Sequence, residues 1–179
     1  MDPALARGRL AAARVGRLGT VTGDDRPHLV PCCFALLDAD DAGGRAQPTV
    51  VTAVDAKPKS TLALRRLANV RAHPHASLLI DHYDDGDWSA LWWVRVDGVA
   101  SVVDDGPDRD RAVAALVAKY EQYRRTPPPG PVIALDVTAW RQRDSMTVHL
   151  VNLTNPMMMK GPLREVFPIG PERVRIRLS

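Results

Sequence analysis

The amino-acid sequence predicts a mainly β fold of the α+β class, an antiparallel barrel with flanking helices. Three observations lead there. The predicted elements run helix, three strands, helix, two strands, helix, strand, an order that lacks the regular β–α–β alternation of a parallel sheet. No Gly-rich phosphate loop of the nucleotide-binding type interrupts them. The later strands alternate, as in Val94-Arg95-Val96-Asp97, which marks a sheet with one face buried and one wet.

Each element has a local reason. Asp2 can cap a helix that has Pro3 at its first position and runs to about Arg14. Val15 to Thr22 is β-rich and ends in the turn cluster Gly23-Asp24-Asp25-Arg26-Pro27, after which His28 to Leu37 reads as the returning strand of a hairpin. A loop over 38–48 leads to the β-branched run Thr49 to Ala53 and then to Ala56-Lys57-Pro58-Lys59-Ser60, which Pro58 keeps out of regular structure. Ser60 can cap a helix carrying Leu62, Leu64 and Leu67 that stops near Asn69, ahead of His73-Pro74. Ala76 to Ile80 is an apolar strand, and Trp88 to Val103 follows the acidic loop 81–87 as another. Asp108 to Tyr123 reads as one further helix, 126–131 as a Pro-rich connector, and Val132 to Trp140 as the last strand.

With 179 residues, 45% of them apolar and 25% charged, the chain has the composition of a soluble globular protein of one domain with at most an appendage. No apolar run reaches the roughly 18 residues of a spanning helix, and arginines break up the Ala-rich N-terminal stretch, so a cytoplasmic protein without membrane association is expected. The formal charge of +3 lies entirely in residues 146–179, where five basic residues face Glu165 and Glu172. The neutral remainder argues against a nucleic-acid partner. The same boundary shows in composition: after Ser145 there is no Ala and no Asp, while four of five methionines fall there. Residues 1–145 are therefore read as the functional domain and 146–179 as an appendage with two short strands, Thr147 to Leu153 and Arg173 to Leu178.

Several chemistries lack their motifs. The adjacent Cys32 and Cys33 have neither disulfide-framework nor zinc spacing, and are expected to be reduced, buried thiols facing opposite sides. The acidic loop places Tyr83 and Trp92 where a calcium loop needs carboxylates, and the histidines near it supply no third ligand, so no metal is assigned. What remains is an anion site. Lys57 and Lys59, half of the four lysines, sit on a Pro-stiffened loop just before a helix start, where free N–H groups and the positive dipole end point the same way. Arg65, Arg66 and Arg71 extend it into a basic groove.

The order of pieces over residues 15–140 resembles the pyridoxamine phosphate oxidase-like split β-barrel family of flavin and deazaflavin enzymes. The matching segments are 16–21, 26–31, Val50-Val51-Thr52 through Lys57-Pro58-Lys59, Leu67-Ala68-Asn69, 73–79 and 94–100. The resemblance implies an FMN-binding-like split barrel in which Lys57, Pro58, Lys59 and Ser60 grip a cofactor phosphate. It places the ring system along Val30-Pro31-Cys32 and Val51-Thr52, and implies a homodimer with cofactor sites at the subunit interface. Where FMN-using members tend to carry a Gln-bearing strand, Trp92 and Trp93 stand here, and residues 81–98 resemble the branch of probable coenzyme F420-dependent oxidoreductases.

The expected activity is hydride transfer between F420 and a small organic substrate. Lys57, Lys59, Arg65 and Arg66 would meet the phosphate and oligoglutamate tail, and Trp88 with the Cys32 strand would form the wall for the ring. The deazaflavin supplies the hydride, so no acid or base is obligatory and no catalytic residue is assigned. Two alternatives stand beside it: an FMN-dependent enzyme of the same fold, and a binding protein that holds F420 or a related tetrapyrrole or flavin without turnover.

Overall fold

The computed structural model describes residues 2–39, 47–54 and 61–144, with backbone alone for 61–64. The loop residues Lys57, Pro58, Lys59 and Ser60, and the appendage 146–179 with its two expected strands, lie outside the described residues. Helix α1 (Pro3–Ala12) opens as predicted: the Asp2 carboxylate accepts from the Ala4 and Leu5 N–H groups at 2.9 and 3.3 Å. Strands β1 (Gly16–Val21) and β2 (Pro27–Cys32) form the first hairpin, whose turn puts Asp25 at φ 58, a conformation Asp tolerates better than most residues.

The chain continues through β3 (Ala35–Leu37), β4 (Thr49–Ala53), α2 (Thr61–Ala72), β5 (His75–His82), β6 (Trp92–Val103), α3 (Gly106–Lys119), α4 (Glu121–Arg125) and β7 (Val132–Asp144). All seven strands join one antiparallel sheet in the order β2-β1-β5-β6-β7-β4-β3. Beside Gly98 the β6–β7 register shifts by one residue, and a Cβ there would run into the Asp136 carbonyl oxygen, so the bulge requires glycine.

The prediction of a single strand over His28 to Leu37 is corrected. β2 and β3 occupy opposite edges of the sheet, yet only Cys33 and Phe34 separate them. Flat, seven strands would hold those edges about 29 Å apart. A two-residue link reaches roughly 11 Å between the flanking Cα atoms. The sheet therefore curls until its edges meet, and the fold is a split β-barrel.

Two apolar clusters fill it. The concave face holds Leu18, Leu78, Ile80, Val94, Val96, Ile133, Leu135 and Phe34, closed by Ala6 and Leu10 of α1 and Leu67 and Val70 of α2. On the outer face, α3 lays Ala112 and Leu116 over Ala35, Val51, Ala53, Val132 and Ala134.

Two further predictions are corrected. Trp88–Ala90 is a single 3-10 turn capped by Asp87, not the start of a strand. The helix expected over 108–123 breaks at Tyr120, whose extended backbone (φ −120, ψ 119) ends α3 before α4 begins. The break serves the split. The Tyr120 hydroxyl accepts from the Phe34 N–H at 3.0 Å and lies 2.8 Å from the carbonyls of Phe34 and Arg14, which share its one proton. Above the same link Lys119 Nζ stands 4.2 Å from the Phe34 ring centroid. Burial, with the Arg14 charge second, holds the Lys119 ammonium down to about 8.

Replacing Tyr120 by Phe strips partners from buried backbone groups of the link, and urea unfolding should show a loss of about 1–3 kcal/mol. Lys119 gives a pH signature. Between about 8 and 10.5 the unfolded chain holds a proton that the native chain has released, so stability rises with pH. Above about 9 the buried Cys32 thiol, pushed up to about 11, and Tyr120, also raised by burial, act in the opposite sense because the native chain keeps their protons. The clean window is therefore pH 8–9, where in bicarbonate-free buffer the urea midpoint should climb for the wild type and stay level for Lys119→Met.

Candidate functional site

Strand alternation sorts the residues expected to line the cofactor ring. Cys32 and Thr52 face the concave side and lie close together across the split. Val30, two residues before Cys32, packs half-buried against the same cluster. Pro31 points the other way and is exposed, whereas Val51 lies beneath α3 at 1% exposure. The structure thus brings Val30, Cys32 and Thr52 together and sends Pro31 and Val51 to the opposite face.

Helix α2 supplies charge to this wall. Asn69, 4% exposed, donates from Nδ2 to Thr20 Oγ1 at 3.0 Å and pins the helix against β1. Residues three and four apart share a helix face, so Arg66 lines up with Asn69 and Val70, while Arg65 lines up with Ala68 and Asn69. Arg65 accordingly borders an open groove of about 500 Å3 with Thr22, Gly23, Asp24, Ala68 and Asn69. Arg66 is turned inward: its Nε is buried without a hydrogen-bond partner among the described residues, and its charge reaches Cys32. Arg71 is spent on Asp104, at 3.2 and 3.3 Å.

Among the described residues Thr52 Oγ1 is likewise buried without a hydrogen-bond partner; its polar neighbour is the Cys32 thiol. An unsatisfied buried polar group costs about 1–3 kcal/mol. Two of them at one split, on the strand and helix that flank residues 55–60, mark where a polar ligand would be compensated. Burial raises Cys32 to about 11 against the smaller opposing effects of Thr52 and Arg66, so its thiol is neutral at physiological pH.

The aromatic residues divide too. Trp88 is half-exposed on the loop between β5 and β6, which Asp84 braces by accepting from the Gly86 and Asp87 N–H groups at 2.8 and 3.2 Å. Strand register puts that loop off the same end of the sheet as Cys32. Trp92 is occupied by its own chain: the Arg9 guanidinium lies 4.6 Å over its ring and His82 stacks on it at 5.8 Å. Among the described residues no cluster of His, Cys, Asp and Glu is placed to hold a metal, and no helix is long and apolar enough to cross a membrane.

Residues 2–144 match the family model described as pyridoxamine 5'-phosphate oxidase. The chain belongs to that family. Structural neighbours of this pyridoxamine 5'-phosphate oxidase-family domain include a conserved hypothetical protein of Mycobacterium tuberculosis (19% identity, TM-score 0.63, covering 86% of this chain and 91% of that one). A FAD-binding protein of Mesorhizobium loti matches at 21% identity and TM-score 0.59 (81% and 96%). The heme storage protein of Vibrio cholerae matches at 16% and 0.55 (80% and 94%). At such identities the likeness establishes the fold alone. No curated protein matches the chain.

Sequence reasoning treated Arg66 as one cation of a groove and left it out of the central set; the signal that separates it from Arg65 is its spacing of three and four from Asn69 and Val70. The two cysteines also differ in exposure, Cys32 buried and Cys33 half-buried. At pH 7.5 a maleimide should label one thiol per native chain, Cys33, and two after denaturation, read by intact mass. Labelling of Cys32 in the native protein would contradict the closed split.

Proposed function

We propose that this member of the pyridoxamine 5'-phosphate oxidase family binds a phosphate-bearing flavin or deazaflavin at the split and works as an oxidoreductase on a small organic substrate. The observation that carries the reading is the pair of buried, unpartnered groups, Thr52 Oγ1 and Arg66 Nε, on the elements flanking Lys57 and Lys59. Arg66 Nε can only donate, and Thr52 has a proton to give, so the split asks for acceptor oxygens such as a phosphate and ring carbonyls carry. Val30 and Cys32 supply an apolar wall beside those donors. The residues fit such a group.

Lys57, Lys59 and Arg66 would hold the phosphate, and Thr52 would orient the ring against the Cys32 wall. The bound cofactor supplies the hydride chemistry; the chain binds, orients and excludes water. The FAD-binding neighbour supports a flavin such as FMN or FAD. The F420 reading is supported by the resemblance of residues 81–98 and by the groove at Arg65, which suits an anionic tail. A homodimer belongs to the same proposal. The outer face of β2, β1 and β5 carries no packed helix among the described residues, and that side of the sheet exposes Leu29 (66%) and, on β6, Val99 (43%).

Fluorescence titration of the purified chain with FMN, FAD and F420 tests the reading, with sedimentation on the same sample expected to give the mass of two chains. One cofactor should bind, and Arg66→Gln or the Lys57→Ala, Lys59→Ala pair should weaken it roughly ten- to hundredfold, the loss of one or two charge-assisted contacts. Arg71→Gln should leave affinity unchanged. If none of the three binds, the proposal fails; binding with no oxidation of the reduced cofactor by any acceptor favours the non-catalytic alternative.

A further inference from the structure

Lys119 takes no part in the cofactor site, yet it is the one lysine among the described residues and it is placed unusually. Its Nζ is buried and, among the described residues, makes no hydrogen bond. Two aromatic faces meet it, with centroids at 4.2 Å for Phe34 and 5.7 Å for Tyr120. The opposing cation is Arg14, whose guanidinium lies 4.6 Å over the Tyr120 ring and donates from Nη1 to the Lys119 carbonyl at 2.7 Å. Two cations thus share one ring, and among the described residues no carboxylate pairs with either. The other titratable groups facing the site are the Cys33 thiol from the β2–β3 link and the Tyr120 hydroxyl.

Like charges held together in a half-buried place favour any reaction that turns one of them into an anion. A desolvated amine is also a nucleophile once it sheds its proton, which burial and Arg14 make easy here. We propose that Lys119 is a carbamylation site, at which Nζ adds carbon dioxide and the resulting carbamate pairs with Arg14. The nitrogen lone pair forms the N–C bond, one C=O π pair moves onto oxygen, and the amine proton leaves to solvent. No oxidant or further reactant enters. Carbon dioxide suits the place because it is small, uncharged and at ease among apolar rings, where a bulky acyl donor would need an open channel. The product exchanges a cation–cation contact for an ion pair at the link that closes the barrel.

The full chain is equilibrated with 13C-labelled bicarbonate at pH 8 and read by 13C NMR. A carbamate resonance should appear that Lys119→Arg lacks. Because Lys57, Lys59, Lys160 and the amino terminus are also amines, the wild-type carbamate is trapped by alkylation and located by tandem mass spectrometry, which requires no variant to fold. The mark should sit on Lys119. A mark confined to the other amines, or a resonance undiminished in Lys119→Arg, overturns the proposal. Thermal unfolding supplies a second readout: bicarbonate should raise the wild-type midpoint beyond what chloride of equal ionic strength does, and an equal rise with chloride would indicate simple anion binding and overturn it as well.

Discussion

The two-residue link Cys33-Phe34 is the constraint from which the rest of this structure follows. It joins the two edges of a seven-stranded sheet, and so short a connection leaves the sheet no choice but to curl. The link crosses from one edge to the other and joins neither ladder, so its backbone groups must be satisfied elsewhere or pay the cost of burial. One hydroxyl, that of Tyr120, meets the Phe34 N–H and carbonyl together with the Arg14 carbonyl. To reach them Tyr120 has to leave the helix, which is why α3 ends at Lys119 and the chain restarts as α4.

Closure of this kind is incomplete, and the site occupies what it leaves over. A barrel closed by a continuous ladder would have no seam. Here Cys32 and Thr52 face each other across the seam, and among the described residues Thr52 Oγ1 and Arg66 Nε are buried there without hydrogen-bond partners. Adjacent cysteines point to opposite sides of the sheet. Cys32 therefore shares the concave layer with Arg66, while Cys33 packs in the outer layer toward Lys119 and Arg14. The sheet separates two positively charged neighbourhoods, one on the concave side at the split and one at the link.

Much of the fold was legible in the sequence because its signals are local. Asp2-Pro3, the 23–27 turn, the run Thr49 to Ala53 and the alternation around Val94 each settle a few residues at a time, and those elements stand where they were expected. The elements misread are those decided at long range. Nothing near Cys33 states that the strand must change edges, and nothing near Tyr120 states that a helix must break for a hydroxyl to reach residue 34. The same holds for the candidate site: the sequence grouped Cys32 and Thr52 with Val51 and Pro31, and separating the two pairs needed the alternation read in register with neighbouring strands. Trp92, in the stretch where the family resemblance leads one to expect a Gln-bearing strand for FMN, proves to be engaged by Arg9 and His82, partners far from it or on the next strand.

The neighbours of this fold are named for different ligands, FAD in one and heme in another, so architecture alone does not choose between them. The choice has to come from the atoms at the seam. A metal macrocycle needs a lone pair aimed at its iron. Cys32, the soft ligand on this wall, keeps its proton because burial outweighs the pull of Arg66, and a thiol so protected is a poor ligand. The unpartnered atoms beside it instead present protons: a guanidinium N–H that cannot accept, and a hydroxyl. Donors facing an apolar wall suit a flat ring edged with carbonyls and trailing a phosphate, which is why a flavin or deazaflavin is the ligand we propose.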